Sequence, residues 1–136
     1  MKYTALLIIC LLSFTCFAKK KINSKSLAGN YSLVKQKERF KLVPVYIPKS
    51  KITIDLKKNR IKCYVGCNSI SGNFYVEKNQ IEPLQLVSTE MLCPGTKSTQ
   101  ERTFLRNMSS INNYRFYKNY LYLLDEKEVL IVLKRK

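Results

Sequence analysis

The sequence contains no histidine and no tryptophan, and only 9 Asp and Glu residues stand against 25 Lys and Arg. Without histidine, the usual Cys-His pair of a thiol enzyme is impossible, and a zinc site lacks one of its common ligands. The chain also lacks a P-loop, a G-x-S-x-G turn and the glycine pattern of a Rossmann domain. These absences weigh against an enzyme, although a pair of facing carboxylates of the glycosidase type leaves no pattern in a sequence.

The start of the chain is typical of a secretory leader. Lys2 is followed by an almost unbroken apolar run over 5–14, and CFA at 16–18 supplies the small residues that a signal peptidase recognises. The run is shorter than the roughly 18 apolar residues that a membrane-spanning helix requires. We therefore expect a signal peptide over 1–18 and an exported protein in the periplasm, the outer envelope or the medium. The alternative is a lipoprotein in which Cys16 is acylated.

The chain after the leader has the length of one domain with a substantial core. A basic polar lead over 19–26 precedes a predicted domain over 27–136. Removal of the leader leaves 24 basic and 9 acidic residues, a net charge of +15. Such a charge attracts anionic partners, although a solvated lysine-rich surface is the simpler alternative. Because export disfavours nucleic acid, we expect an anionic envelope component or an acidic protein as the partner, and no cofactor.

Two groups of basic residues are candidates for this contact. The first follows the leader and is expected to lie along an anionic membrane surface: Lys19, Lys20 and Lys21. The second brackets an apolar segment, 40–47, which includes Tyr46. This second group consists of Lys35, Lys37, Arg39, Lys41, Lys49 and Lys51. The clustering favours the second group as the contact surface.

Alternating apolar residues predict a mainly β domain. The pattern is clearest over 52–56 and 61–67, with Asn59 in a left-handed turn between them. We expect the first strand over 27–34, and an edge strand or extended loop over 40–47, where Pro44 cannot donate to a ladder. The remaining strands are expected at 74–76, from 81 onward, and at 114–117, 120–124 and 129–133. The last two are apolar on both faces and are predicted to be central.

One helix interrupts the predicted strands. Ser98 and Glu101 form a capping-box pattern, and Phe104, Met108 and Ile111 follow at helical spacing. The expected fold class is therefore mainly β (α+β): an antiparallel cracked β-barrel or curved sheet with one inserted α-helix.

Three cysteines remain after the leader. An oxidised pair is expected in an exported chain, and Cys67 and Cys93 are favoured because they lie in turn-like sequence beside Gly66 and Pro94. Cys63, on an apolar strand face, is expected to be a free buried thiol. Three thiols without histidine form an incomplete metal site, so we expect no metal.

Four tracts occur in this order along the chain: GCNSISGNFYVEKNQI, LVSTEMLCPG, ERTFLRNM and NYLYLLDEKEVLIVLKR. Together they resemble the META domain, or HslJ-like, family over about 27–135. The resemblance implies a small domain, often exported or lipid-anchored, that is associated with the bacterial envelope and stress responses. It implies a cracked barrel with one helix and no catalytic residues. The family's cysteine positions match Cys67 and Cys93, and its structural motif matches Gly66, Asn68, Gly72 and Pro94.

Three classes of function follow from these observations. We expect a non-enzymatic, stress-related binding module for an anionic envelope component or partner protein. The alternative is a carrier that holds an acyl chain or apolar peptide in the mouth of the barrel, suggested by the surplus of apolar residues in 120–133. A hydrolase or thiol redox enzyme is the third and weakest class.

Overall fold

The computed structural model describes residues 27–136. The expected leader and basic lead, with Cys16, Lys19, Lys20 and Lys21, lie outside the described residues. The described chain forms nine strands and one helix. In chain order these are β1 (Gly29–Glu38), β2 (Lys41–Pro44), β3 (Lys51–Asp55), β4 (Arg60–Tyr64), β5 (Ser69–Glu77), β6 (Gln80–Ser88), α1 (Thr96–Ser110), β7 (Asn113–Tyr117), β8 (Tyr120–Asp125) and β9 (Glu128–Arg135).

All nine strands belong to one antiparallel sheet that closes into a ring, because β1 pairs with β9 as well as with β2 and β3. The ring is weakest between β6 and β7, where Gln80 opposite Asn113 is the single paired position. The helix is inserted in the connection between these two strands. This arrangement confirms the predicted fold class of a curved antiparallel sheet with one inserted helix.

The core lies inside the ring and beneath the helix. In β3 and β4 alternate residues are buried, as the sequence pattern predicts: Ile52, Ile54, Ile61 and Cys63. Tyr31, Phe74, Phe104, Met108 and Leu121 are fully buried and come from four different elements. The predicted helical face of Phe104, Met108 and Ile111 is indeed turned into this core.

The element bounds depart from the sequence predictions at several points. The first strand runs from Gly29 to Glu38 instead of ending at Val34, because its last four residues pair with β2. A bulge near Val34 shifts its register against β9. β4 ends at Tyr64, so Cys67 lies in the following turn and not on the predicted strand face. The segment around Pro44 is an edge strand, one of the two expected possibilities, and Asn59 has the expected left-handed backbone (φ 47°).

The predicted capping box at the start of the helix is wrong. The helix begins at Thr96, two residues before Ser98, and its N-cap is Gly95 (φ 63°), with no side-chain capping hydrogen bond. Glu101 does not reach back to the helix start. Its carboxylate is buried and binds a different part of the chain, because tertiary partners outcompete the local cap.

Candidate functional site

A disulfide joins the turn after β4 to the loop that precedes α1. Cys67 and Cys93 are bonded across 26 residues of sequence, with their Cα atoms 6.0 Å apart. This is the predicted pairing, and it is confirmed. Pro94 and Gly95 follow Cys93 and lead directly into the helix.

Glu101 anchors the same turn from the helix. Its carboxylate accepts hydrogen bonds from the backbone N–H groups of Cys67 (3.1 Å) and Asn68 (2.7 Å) and from the Asn68 side-chain amide (2.7 Å). The side chain of Glu101 is only 5% exposed. A buried carboxylate is tolerated when several donors satisfy it, which is the situation here.

The other end of the Asn68 side chain holds the loop before the helix. Its carbonyl oxygen accepts hydrogen bonds from the Thr89 hydroxyl (2.9 Å) and the Met91 backbone N–H (2.8 Å). Asn68 therefore links two segments that are far apart in sequence, the GCN turn and the STEMLCP loop. The Asn68 side chain is 8% exposed, and other residues of the chain occupy its hydrogen-bonding groups.

Two glycines permit close backbone approaches around this turn. A Cβ atom on Gly66 would lie 2.6 Å from the backbone oxygen of Lys97, so the first turn of α1 packs directly on this position. A Cβ atom on Gly72 would lie 1.9 Å from the backbone oxygen of Gln85. Both positions therefore exclude a side chain by steric clash.

A buried glutamine completes the attachment of the helix. The Gln100 side chain donates to the backbone oxygens of Val65 and Ile47 and accepts from the Ile47 N–H (3.0 Å). Gln100 and Glu101 were not predictable as anchors from the sequence, because a polar pair in a helix is ordinarily solvent-exposed. Together the cluster of Cys67, Asn68, Cys93, Gln100 and Glu101 is a structural junction whose polar groups are occupied by protein partners.

The third cysteine is separate from this junction. Cys63 is buried and forms no disulfide, and desolvation raises the pKa of its thiol to about 12. A thiol with such a pKa remains protonated at neutral pH and is a poor nucleophile. Cys63 therefore acts as a small apolar core residue.

The basic residues singled out from the sequence fall into two groups in space. Lys35, Lys37, Arg39 and Lys41 belong to the β1–β2 hairpin, whose two-residue turn is Arg39-Phe40. Lys49 and Lys51 lie at the start of β3, which pairs with the other end of β1. Lys35, Arg39 and Lys41 are exposed, whereas Lys37 is half-buried and forms an ion pair with Glu128. We call the first four residues the basic hairpin.

The helix adds two arginines that sequence analysis did not select. Arg102 and Arg106 are exposed and are four residues apart, a spacing that places both on one helical face. A cavity of about 270 Å³ lies where the hairpin meets the helix, and Arg106 lines it together with Arg39 and Asp125. Basic side chains thus occur on both the hairpin and α1, and acidic Asp125 and Glu128 line the cavity between them.

The interior of the ring offers little room for a ligand, because large side chains such as Tyr31 and Phe74 fill it. A depression of about 670 Å³ lies at one end of the sheet, lined by apolar Ile54, Leu56 and Val76 and by polar residues. It is open to solvent, so it gives an acyl chain a shallow site only. Residues 27–136 contain no group of three His, Cys, Asp or Glu side chains placed to hold a metal. Within the same residues no helix has the length and apolarity needed to cross a membrane.

A closed antiparallel sheet, one inserted helix and a disulfide-linked junction define a small β-rich single-domain protein. The chain belongs to the META domain family, whose model matches residues 26–136. No curated protein matches the sequence.

Two solved structures share the fold. One is an NMR structure of a protein from Burkholderia xenovorans, with a TM-score of 0.66 and 14% identity, covering 83% of this chain and 86% of that one. The other is a crystal structure of a DUF4847 family protein from Bacteroides vulgatus, with a TM-score of 0.58 and 15% identity, covering 84% of this chain and 98% of that one. At such identities the likeness shows the fold alone.

Proposed function

We propose that this META domain protein is an exported, non-enzymatic module that binds an anionic component of the cell envelope in a stress-related role. The observation that carries the proposal is the basic surface formed by the β1–β2 hairpin and the exposed face of α1. Arg39 and Lys41 are exposed there, and neither forms an ion pair with an acidic side chain among residues 27–136.

Export is supported by two independent features. The first 18 residues have the pattern of a secretory leader. The Cys67–Cys93 disulfide is typical of proteins that fold in an oxidising compartment, such as the periplasm or the medium. Both features support export, and we propose that the protein acts at the envelope.

A binding role is favoured over catalysis by the state of the polar groups. The buried carboxylate of Glu101 is occupied by three donors from Cys67 and Asn68. The free thiol of Cys63 is buried and protonated at neutral pH. Both groups support the fold, and neither is placed to act on a substrate.

The charge favours an anionic partner. Without the expected leader the chain carries a net charge of +15. A positive field of this size accelerates encounters with anionic surfaces and disfavours basic partners. The basic hairpin is where we expect contact, because its charges are close together on one projecting element.

Binding of the processed protein to anionic and neutral surfaces tests the proposal. Vesicles of phosphatidylglycerol, vesicles of phosphatidylcholine, and an acidic and a neutral glycan are compared at low and at physiological salt. We expect binding to the anionic surfaces only, and weaker binding at the higher salt, since screening reduces contacts between exposed charges. Equal binding to neutral surfaces, binding that ignores salt, or no binding to any anionic surface would contradict the proposal.

A further inference from the structure

Four hairpins of the described chain have two-residue turns, and one of them differs from the rest in its chemistry. In each turn the first residue has a positive φ, between 50° and 57°. The four turns are Arg39-Phe40, Lys78-Asn79, Lys118-Asn119 and Glu126-Lys127. Polar residues are the usual choice at such positions. Only the β1–β2 turn carries a large apolar side chain.

That side chain gains no burial from folding. Phe40 is 96% exposed, and Leu42, two residues further along the edge strand, is 38% exposed. An aromatic ring of this kind stabilises a protein when it leaves water, and here nothing in residues 27–136 covers it. A turn residue without a folding role points to a contact outside the domain.

The surroundings of Phe40 indicate the chemistry of that contact. Arg39 and Lys41 flank it in the chain, and both are exposed. Arg106 of the helix lines the same cavity as Arg39, next to the hairpin. An exposed apolar side chain flanked by basic residues suits the interface of an anionic membrane, where apolar groups enter the acyl region and cations contact the headgroups.

We propose that Phe40 inserts into the interface of an anionic lipid membrane while Arg39 and Lys41 bind its headgroups. This inference rests on the proposed function and names its partner. A folded protein partner fits the tip less well, because a stable protein interface buries about 800 Å² on each side, more than the side chains of one two-residue turn offer. A single ring on a convex turn suits a soft surface that admits it.

The absence of tryptophan from the chain gives a direct assay. Phe40→Trp places a unique fluorescent reporter at the turn, and the processed protein is mixed with vesicles of phosphatidylglycerol and phosphatidylcholine in equal parts. We expect the emission to move to shorter wavelength and to become protected from an aqueous quencher. Pure phosphatidylcholine vesicles should leave the emission unchanged, because they lack the anionic headgroups that attract the basic residues.

Two matched reporters locate the contact. Tyr117→Trp lies beside the β7–β8 turn, at the end of β8 and β9 that is away from the β1–β2 turn. The wild-type side chain of Tyr117 is 61% exposed. Leu92→Trp lies in the exposed loop beside Cys93. Both should keep the emission of a water-exposed ring. A blue shift at either position without one at Phe40→Trp would overturn the inference, since the domain would then insert elsewhere.

Partitioning of Phe40→Ala gives the second measurement. Loss of a ring that is buried in the interface should weaken partitioning into the mixed vesicles by about tenfold, and Phe40→Leu should retain most of it. If wild-type protein binds these vesicles with the expected salt dependence and Phe40→Ala binds equally well, insertion is refuted while the proposed function stands. If wild-type protein binds acidic glycan and no vesicle, the lipid partner is refuted and anionic binding stands.

Discussion

Replacement of Glu101 by alanine should destabilise the domain strongly, because this carboxylate holds the GCN turn to the helix. Three donors bind it at 2.7–3.1 Å, two of them from Asn68. A hydrogen bond to a charged group contributes about 1.5–3 kcal/mol. Adding the values for three such bonds overestimates the loss, because Cys67 is partly exposed and water can replace the carboxylate as the partner of its N–H group. We expect a decrease in the free energy of unfolding of about 3–5 kcal/mol.

Urea denaturation followed by circular dichroism measures this change, with the disulfide intact in every sample. Glu90→Ala is the matched control, since Glu90 is exposed and its removal alters the net charge equally. Its effect should lie within about 0.5 kcal/mol. Asn68→Ala combined with Glu101→Ala should cost less than the sum of the single changes, because the residues share hydrogen bonds. A Glu101→Ala loss below about 1 kcal/mol would refute the anchoring role.

Further predictions concern the disulfide, Cys63 and Gly66. Peptide mapping without reduction should recover a Cys67–Cys93 link, and replacing both residues by alanine should lower stability by roughly 3.5 kcal/mol; any link to Cys63 would contradict this. Cys63 should resist a thiol reagent at pH 8 until the protein is unfolded, and rapid reaction of native protein would show that it is accessible. Between about pH 9 and pH 12 the Cys63 thiol ionises in the unfolded chain but not in the folded protein, because its folded pKa is raised. The difference in unfolding free energy between wild-type protein and Cys63→Ala should therefore shift against the wild type as the pH rises through this range. Gly66→Ala should destabilise by about 2 kcal/mol or more, because its Cβ would press on the Lys97 oxygen, and a neutral effect would show that the helix moves freely.

Local patterns in the sequence were sufficient for part of this structure. The alternation around Ile52 and Ile61 predicted β3 and β4, and the spacing of Phe104 and Met108 predicted the buried helical face. These features depend on neighbours within a few residues, where side-chain period and burial are directly linked. The cysteine pairing was predictable because the chain has three thiols after its expected leader and two of them lie in turn-like sequence.

Features that depend on distant contacts were not predictable. Glu101 lies three residues after Ser98, so it matched a local cap, yet its donors are more than 30 residues away in sequence. Ring closure pairs β1 with β9, at the far end of the described chain, and no local sequence pattern indicates this pairing. The exposure of Phe40 was equally hidden, because Arg39-Phe40 contains neither glycine nor asparagine to mark a two-residue turn.

The central claim is that the basic hairpin recruits the domain to an anionic surface, and charge neutralisation tests it most directly. One variant replaces the four residues of the basic hairpin by glutamine. The matched variant replaces four exposed residues of the β3–β4 hairpin in the same way: Lys57, Lys58, Arg60 and Lys62. Both variants lose the same charge, and their circular dichroism should equal that of the unaltered protein.

Binding of both variants to phosphatidylglycerol vesicles is then measured over a range of salt concentrations. The account predicts that the hairpin variant loses most of its binding and most of its salt dependence, while the β3–β4 variant keeps the larger part of both. Equal losses in the two variants would mean that net charge alone attracts the protein. Unchanged binding of the hairpin variant would contradict the account.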